Sequence, residues 1–454
     1  MTLCQVFPAR TRRKYRNIVC VLLFYTCVIN AVWYCVLSEL WNREEVKKLA
    51  LRELRRSKGI LYTESIKDHP VDYFIHGKTP NSSGIKVQIA LETSVQQTKY
   101  LVPILLGNQG PNNQMQSLKL SAVIAAHRDR TLVRTPFFGH FSQDEYSVRN
   151  FNETLDVRLF NKLTPTESIE DFYRNCGGKI DVVFSGVNWS SSITQNTYNK
   201  TMTYVNTKMK IWSEITGIDV PDMLNEPDRV IDLPDNIPDG YHPLRTLIDT
   251  TDIFKSDSKC VGIAYPYGML GRFYYHDYVS VLSKYVTRPP DIRRATSRFM
   301  RTVLHNKQFL GFHWRYNKEW TSQWCHRNTE NAKQKCRLLD QTSNDVIIKS
   351  VQSIVDEFNL EAVYLATPLG ANDPLVNDLL TKVPNLYTKE DLFDSNMNEL
   401  NTLKHNSYRL SLVEQELCKQ STVFLASRLS SWSDIVAEDR NRRQVMYVPD
   451  VLKT

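Results

Sequence analysis

A run of twenty residues without a charged side chain begins at Ile18 and ends at Leu37, and it constrains this chain more than any other feature. A helix of about twenty apolar residues crosses the hydrocarbon core of a bilayer. A cleaved signal peptide is the alternative, but its apolar region has about 7 to 15 residues and ends at a small-residue cleavage site. No such site follows here, so we predict an uncleaved membrane anchor over residues 18–37.

Charges on the two sides of this run predict its orientation. The positively charged flank of a membrane helix stays in the cytosol. Basic residues precede the run at Arg10, Arg12, Arg13, Lys14 and Arg16, and acidic residues follow it at Glu39, Glu44 and Glu45. We therefore predict a cytosolic tail over residues 1–17, a luminal stem over 38–97 and a luminal globular part after the stem.

Part of the positive charge of the chain belongs to that tail. The formal net charge is +8, and no later stretch of sequence repeats the density of the basic tail. Nucleic-acid-binding domains concentrate basic residues in a patch or stripe. The sequence therefore predicts no nucleic-acid partner.

Glycosylation sequons agree with a luminal location. Every N-x-S/T triplet lies beyond the anchor, at Asn81, Asn152, Asn188 and Asn199. These four asparagines are the predicted N-glycosylation sites.

Five cysteines also lie beyond the anchor, and in an oxidising lumen some of them should pair. Cys325 and Cys336 are our preferred disulfide, because they are close in sequence and flank a polar loop. Cys176 and Cys260 are the second candidate pair, which would leave Cys418 unpaired, since sequence cannot fix connectivity.

Apolar strand-like runs alternate with helix-period segments in two parts of the chain. In the first part, strands are predicted at 101–106, 131–133 and 179–187, with a helix around 118–125 and a loop-rich stretch over 188–243. We expect the apolar stretch at 261–270 to close this half of the molecule. In the second, strands at 309–314, 361–366 and 422–426 alternate with helices at 344–359 and 407–419. Such alternation predicts an α/β fold with parallel sheets. We expect two Rossmann-like domains facing a cleft, over residues 98–285 and 286–454.

The stretch FLGFHWRYNKEW, residues 309–320, carries the sharpest site signal. His313 and Arg315 lie two residues apart at the end of a buried strand, so their side chains should point to one face. Ligands bind at this end of parallel strands, and the guanidinium of Arg315 can hold a diphosphate through paired hydrogen bonds. An arginine that bridges two loops through a carboxylate fits the same pattern equally well.

Two turns are weaker signals. Ser430 and Ser431 precede a helix that we predict to open at Ser433, and the N-terminus of a helix binds phosphate readily. A plain N-cap role for Ser433 explains that pattern just as well. The other turn, GNQGPNNQ at residues 107–114, has neither the dinucleotide-binding nor the P-loop spacing.

Motifs of several other enzyme classes are missing. The sequence contains no D-x-D, H-E-x-x-H or G-x-S-x-G. A divalent-metal sugar-nucleotide site, a zinc protease and an α/β-hydrolase all lose support. No metal site is predicted.

Four motifs, in their order and spacing, resemble those of the GDP-fucose protein O-fucosyltransferase family and the wider fucosyltransferase superfamily. They are G-x-x-N-Q at 110–114, His-x-Arg at 313–315, VYLAT at 363–367, and E-Q-x-x-C…F-x-x-S…S-S-W-S between Glu414 and Ser433. The resemblance covers residues 100–160 and 300–440 and leaves the middle of the chain poorly matched.

The resemblance implies a GT-B fold and a metal-independent, inverting transfer of fucose from GDP-fucose to a hydroxyl of a protein or glycan, without a cofactor. It implies that Arg315 binds the diphosphate and stabilises the departing GDP, and that Asn113 lies near the reacting centre. The donor-binding residues that it implies are His313, Gly110, Gln114, Ser430, Ser431 and Trp432.

Some positions depart from the family pattern. Trp314 stands where an aliphatic residue is usual, Trp432 where phenylalanine is common, and Pro368 where an acidic residue is often found. The turn GNQGPNNQ also lacks the carboxylate that serves some members as a base. A transferase for another nucleotide sugar and a catalytically silent receptor on the same fold are therefore the alternative functions. The anchor and stem resemble those of a Golgi enzyme, and we predict a Golgi or endoplasmic reticulum membrane location.

Overall fold

A computed structural model describes most of the globular part of the chain. The described residues are 97–106, 110–139, 147–187, 195–232, 242–250, 252, 254–269, 273–316, 342–394, 402–428, 430–448 and 450–453. The predicted tail and anchor, almost all of the stem, and Asn81, Asn188, Cys325 and Cys336 lie outside these residues. Within them, no helix combines the length and the apolar character needed to cross a bilayer.

The first half of the described chain is built around a parallel sheet. Its elements are β1 (Tyr100–Ile104), α1 (Pro111–His127), β2 (Thr131–Val133), β3 (Phe137–Phe138), β4 (Val148–Arg149), α2 (Phe151–Thr154), α3 (Val157–Phe160), β5 (Thr166–Glu167), α4 (Ile169–Cys176), β6 (Val182–Ser185), α5 (Gln195–Thr216), a 3₁₀ turn (Pro227–Arg229), β7 (Val230–Asp232), β8 (His242–Pro243), α6 (Leu244–Thr250), β9 (Cys260–Ala264), α7 (Pro266–Met269), β10 (Phe273–Tyr274), a 3₁₀ turn (His276–Tyr278) and α8 (Val279–Tyr285). Six strands pair in the order β5-β2-β1-β9-β6-β7, and all of these pairings are parallel.

The second half contains a five-stranded sheet. Its elements are α9 (Pro290–Thr302), β11 (Phe309–His313), α10 (Asn344–Glu357), β12 (Ala362–Ala366), α11 (Pro374–Lys382), β13 (Leu386–Tyr387), α12 (Lys389–Asp394), a 3₁₀ turn (Thr402–His405), α13 (Ser407–Gln420), β14 (Val423–Ser427), α14 (Ser431–Asp439), β15 (Val445–Val448) and a final 3₁₀ turn (Asp450–Lys453). The order β13-β12-β11-β14-β15 is again parallel throughout. The predicted α/β fold with parallel sheets is confirmed.

Both sheets are covered by packing on their two faces, which explains the continuous apolar runs in the sequence. Along β1, Leu101 faces one core while Tyr100 and Val102 face another. Along β11, Phe309 and Leu310 likewise belong to different cores. A strand that is buried on both faces needs apolar residues at every position.

The middle of the chain differs from the prediction of a loop-rich stretch over 188–243. It contains α5, a helix of 22 residues. Its buried side chains recur at helical spacing, at Met202, Val205, Met209 and Trp212. Asparagine, threonine and lysine on the other positions gave this segment a loop-like composition, so the prediction was wrong.

The disulfide joins Cys176, at the end of α4, to Cys260, at the start of β9, with 6.1 Å between their Cα atoms. Our second candidate pair is therefore confirmed. Cys418 is a free, buried thiol, as that pairing predicted. The Cys325–Cys336 pair stays a prediction, as does the domain boundary between residues 285 and 286.

Candidate functional site

The carboxyl ends of β11 and β14 lie side by side, because the two strands are parallel neighbours. His313 ends β11 and Ser427 ends β14. The Ser427 hydroxyl donates to the His313 carbonyl at 2.7 Å and accepts the Arg315 N–H at 3.1 Å. Ser427 therefore fixes the path of the chain where it leaves β11 and reaches Arg315.

Ser433 lies inside α14, not at its start. The helix begins at Ser431 with Ser430 as its N-cap residue. Our prediction that the helix opens at Ser433, and the alternative N-cap role for that serine, were both wrong. The Ser433 side chain is fully buried, accepts the Ser427 N–H at 3.0 Å and lies 2.7 Å from His313 Nδ1.

These contacts define the protonation of His313. Burial, aided by the nearby charge of Arg315, lowers the pKa of His313 to about 3, so the ring is neutral at physiological pH. The Ser433 hydroxyl accepts from Ser427, and among the described residues Nδ1 of His313 is the acceptor within its reach. We assign the serine proton to this bond and the ring proton to Nε2, which leaves Nε2–H as a donor.

Trp432 covers the imidazole of His313. The two rings stack with centroids 4.1 Å apart and planes inclined by 22°. The indole N–H donates to the hydroxyl of Ser411, on α13, at 2.9 Å. The indole is thus held from α13 while its face rests on the histidine.

The positive charge of Arg315 and the N-terminus of α14 both lie at this edge of the sheet. Arg315 is half-buried, and burial lowers the pKa of its guanidinium, which still remains charged because arginine titrates far above neutral pH. The first N–H groups of α14, at Ser431 and Trp432, have no partner within their own helix. Ser430 is buried beside them. A guanidinium and a helix N-terminus together suit a phosphate-bearing ligand.

The first turn of α1 begins with Pro111, directly after the N-cap residue Gly110. Gln114 is fully buried, and its amide donates to the Phe138 carbonyl at 3.1 Å and accepts the Phe138 N–H at 2.8 Å. This pair of bonds holds the turn in place, while direct contact of Gln114 with a substrate stays a prediction. Asn113 is half-buried, and its Oδ1 has no hydrogen-bond partner within the part of the chain that the structure describes.

A polar seam joins this turn to the second half of the molecule. Gln415, on α13, donates to Asn112 Oδ1 at 2.7 Å and accepts a hydrogen bond from Arg288. Gln415 lies one helical turn after Ser411, which holds Trp432. One face of α13 therefore contacts both the turn that carries Asn113 and the ring that covers His313.

A buried ion pair completes the seam. Lys119 on α1 donates to Glu438 at 3.1 Å and to Asp439 at 2.9 Å, and Tyr275 donates to the same glutamate. Burial alone would lower the pKa of Lys119, but the charges of Asp439 and Glu438 outweigh it and the pKa is raised. Lys119 therefore stays charged, and α14 is tied to α1.

Several residues of the site were not given a role by the sequence. Ser427 and Gln415 stand within quoted motifs, and a serine ending a buried strand is the signal that would have identified the first. Ser411 and Arg288 carry no sequence signal, because their partners lie far away along the chain.

Two of the predicted N-glycosylation sites lie within the described residues. The side chains of both, Asn152 and Asn199, are exposed. Among the described residues, no group of three or more His, Cys, Asp or Glu side chains is arranged to hold a metal ion.

Solved structures resemble this chain over most of its length. POFUT1 in complex with GDP shares 15% identity over 78% of this chain and 99% of its own, with a TM-score of 0.50. POFUT1 with GDP-fucose shares 14% over 77% and 98%, with a TM-score of 0.49. The fucosyltransferase NodZ from Bradyrhizobium shares 11% over 78% and 96%, with a TM-score of 0.37. At such identities the first of these likenesses shows a common fold, an α/β fold with parallel sheets.

Sequence comparison identifies the family. No curated protein sequence matches the chain directly. The sequence profile of the family described as GDP-fucose protein O-fucosyltransferase matches residues 104–443, which is well over half of the chain and includes both His313 and Ser433. The chain therefore belongs to the GDP-fucose protein O-fucosyltransferase family, and its enzymatic class is that of a GDP-fucose-dependent fucosyltransferase.

Proposed function

We propose that this protein transfers fucose from GDP-fucose to a hydroxyl of a protein serine or threonine, or of a protein-bound glycan. Membership of the family supports the donor and the protein acceptor. POFUT1, whose fold is similar, has been solved with GDP and with GDP-fucose. In this proposal the fold is of the GT-B type, with the donor bound on the second half.

The observation that carries the proposal is the position of Arg315 beside His313 and the start of α14. A diphosphate at this edge of the sheet would meet the guanidinium of Arg315 and the N–H groups of Ser431 and Trp432. Charge-assisted hydrogen bonds to phosphate are the strongest that side chains make. His313 Nε2–H and the indole of Trp432 would contact the nucleotide, which is the role that the resemblance implies for them.

The proposed reaction is an inverting displacement without a metal ion. The acceptor oxygen bonds to the anomeric carbon of fucose from the face opposite GDP. The bond from that carbon to the β-phosphate oxygen breaks, its electron pair leaves with GDP, and the proton of the acceptor hydroxyl passes to water. Arg315 faces the negative charge that develops on the diphosphate, and preorganised charge of this kind stabilises a transition state more than a ground state.

Asn113 would act on the other side of the reacting centre. Its Oδ1 is buried and has no hydrogen-bond partner among the described residues, although its neighbour Asn112 is held by Gln415. A buried acceptor without a partner is costly in a folded protein. A hydroxyl of the fucose or of the acceptor would satisfy it, which supports the assignment of Asn113 to the reacting centre.

In this proposal the enzyme is a single-pass type II protein of the Golgi or endoplasmic reticulum membrane, anchored through residues 18–37 with the catalytic part in the lumen. The Cys176–Cys260 disulfide supports an oxidising compartment. Exposed asparagines at two sequons, Asn152 and Asn199, support access to luminal glycosylation.

Transfer of radiolabelled fucose by the full-length chain tests the proposal. GDP-fucose, UDP-sugars and CMP-sugars are compared as donors on a luminal protein extract, and the labelled product is treated with alkali, which releases sugars linked to serine or threonine. We expect label from GDP-fucose alone, with labelled free fucose or a labelled glycan released by alkali. Label that stays on an N-linked glycan would identify a glycan acceptor, and absence of transfer from GDP-fucose by folded protein would contradict the proposed activity.

A further inference from the structure

A groove lined by arginines lies on the outer side of α9, away from the donor site. It encloses about 690 Å³. Four of its lining residues are arginines of α9, and two carry amides, one after the end of α9 and one at the end of α13: Arg293, Arg294, Arg298, Arg301, Asn306 and Gln420. No acidic side chain is among the described residues that line it.

Three of these arginines form a row along one face of the helix. Arg294, Arg298 and Arg301 are spaced by four and three residues, which brings them to the same side of an α-helix. All three are exposed, while Ile292 and Phe299 on the opposite side are buried in the core. At 1.5 Å per residue, the row extends over about 10 Å along the helix axis.

The carboxylates near the groove already have partners. Asp156 pairs with Arg293 at 2.7 Å, and Asp291 pairs with Arg409. Glu416 is buried and accepts from Gln420. Within the described residues, no carboxylate lies within ion-pair distance of the guanidinium of Arg294 or Arg301. A helix face that is merely solvated usually mixes both signs of charge, whereas the exposed charged residues of α9 are all arginines.

The groove lies at the amino ends of the strands of the second sheet, and the donor site lies at their carboxyl ends. Asn306 precedes β11 and Gln420 precedes β14, while His313 and Ser427 end the same two strands. A strand of five residues spans about 16 Å. A ligand in the groove would therefore leave the donor site open.

We propose that this groove binds a sulfated polysaccharide. The planar fork of arginine matches the oxygens of a sulfate group, and a row of three such groups suits a linear polyanion. Clustered basic residues of this kind are found in heparin-binding patches. The Cys176–Cys260 disulfide indicates an oxidising compartment, where such chains are made and presented.

The exposed residues of α9 favour this occupant over two others. They are Arg294, Ser297, Arg298, Arg301 and Thr302. Single-stranded nucleic acid needs aromatic rings on which bases stack, and a helix lying on a membrane needs exposed large apolar side chains. The exposed positions of α9 provide neither.

Binding of fluorescent heparin oligosaccharide to the full-length chain tests the proposal, with titrations at several salt concentrations. The test variant combines Arg294→Gln, Arg298→Gln and Arg301→Gln. The control combines Lys162→Gln, Lys179→Gln and Lys349→Gln, which removes the same charge from exposed positions elsewhere. Both retain the basic N-terminal tail, and both should keep the wild-type unfolding midpoint and GDP-fucose turnover, which verifies that they fold.

We expect the arginine variant to bind heparin at least tenfold more weakly, and its dependence on salt to fall by roughly one counterion for each arginine. The lysine control should stay within about twofold of wild type. Equal weakening by both variants would overturn the proposal, because it would show attraction by net charge alone. Hyaluronan that binds as tightly as heparin would overturn the assignment to sulfated polysaccharide. So would a larger effect of the arginine variant on binding to phosphatidylserine vesicles or to a DNA oligonucleotide than on binding to heparin.

Discussion

The hydroxyl of Ser433, inside α14, lies 2.7 Å from Nδ1 of His313, at the end of β11. It also accepts the backbone N–H of Ser427 at 3.0 Å, so one buried hydroxyl connects the ends of two strands with the helix that follows. The Ser433 hydroxyl and the stacked indole of Trp432 fix the orientation of the His313 ring, and with it the direction of Nε2–H. The proposed donor site depends on this link.

Ser433→Ala should therefore reduce both stability and donor binding. It leaves the buried Ser427 N–H without an acceptor and His313 without its partner, which costs about 1–3 kcal/mol in the free energy of unfolding. We expect the dissociation constant for GDP-fucose to rise about tenfold. Chemical denaturation and calorimetry check the two effects. Ser350→Ala on the exposed side of α10 is the control, and an unchanged affinity in a stable Ser433→Ala protein would contradict the role of the link.

Gln415 should affect turnover more than donor binding. Gln415→Met keeps the volume but removes the bonds to Asn112 and Arg288, so the turn that carries Asn113 loses its anchor. We expect kcat to fall at least tenfold while the dissociation constant for GDP-fucose changes by less than about threefold.

Ser411→Ala, one turn earlier on α13, is the matched control for this split. It frees the indole of Trp432, which covers His313, and should weaken donor binding instead. Steady-state kinetics together with calorimetry separates the two effects. Equal losses in kcat and in donor affinity for the Gln415 variant would contradict a positioning role.

Glu414 should make stability depend on pH. Burial, opposed by the charge of Lys389 and the hydrogen bond from Tyr364, raises its pKa to about 7. Between about pH 4.5 and 7, the carboxyl ionises in the unfolded chain but stays protonated in the folded protein. Its stabilising contribution is therefore complete below pH 4.5 and is lost as pH rises to 7, by about 3 kcal/mol.

Glu414→Gln cannot ionise, so its stability relative to wild type should increase over the same interval. Urea denaturation of both proteins from pH 4.5 to 8 measures this difference. Taking the difference removes the opposite effect of His313, whose lowered pKa makes stability fall as pH decreases below about 6.5. Glu357→Gln, at an exposed position, should show no trend. A constant difference between wild type and Glu414→Gln across the whole range would refute the prediction.

The sequence predicted the strands well for a physical reason. Parallel strands that are buried on both faces must be apolar at every position, so β1, β11, β12 and β14 are visible as continuous runs. The helix α5 was missed because only every third or fourth residue faces the core, and the intervening residues are polar. The α9 helix was likewise not recognised, and the row formed by Arg294, Arg298 and Arg301 exists only in helical form.

The site was predicted in its parts but not in its connections. His313, Arg315 and Ser430 could be named because they follow strand ends or stand in a motif. The bonds of Gln415 to Asn112 and to Arg288 join residues that are 303 and 127 positions apart. Contacts over such distances depend on how the halves pack, and a single sequence carries no signal for them.

The disulfide should contribute strongly to the stability of the first half. Cys176 and Cys260 close a loop with a sequence separation of 84. In the chain-entropy description, a crosslink of this length stabilises by about 4.5 kcal/mol. Cys176→Ala combined with Cys260→Ala should lower the free energy of unfolding by that order, measured by chemical denaturation. Cys418→Ala, at the buried free thiol, is the control, and a double variant as stable as wild type would contradict the prediction.

Binding of GDP-fucose to the full-length chain, measured by calorimetry with and without Arg315→Gln, tests the central claim most directly. UDP- and CMP-sugars serve as competing ligands, and Arg158→Gln, at an exposed position, serves as the matched control. We predict selective binding of GDP-fucose that weakens about 100-fold in Arg315→Gln, with an unchanged unfolding midpoint and with the control equal to wild type. Folded wild-type protein that binds no GDP-fucose, or an Arg315→Gln variant that binds it as tightly as wild type, would contradict the account.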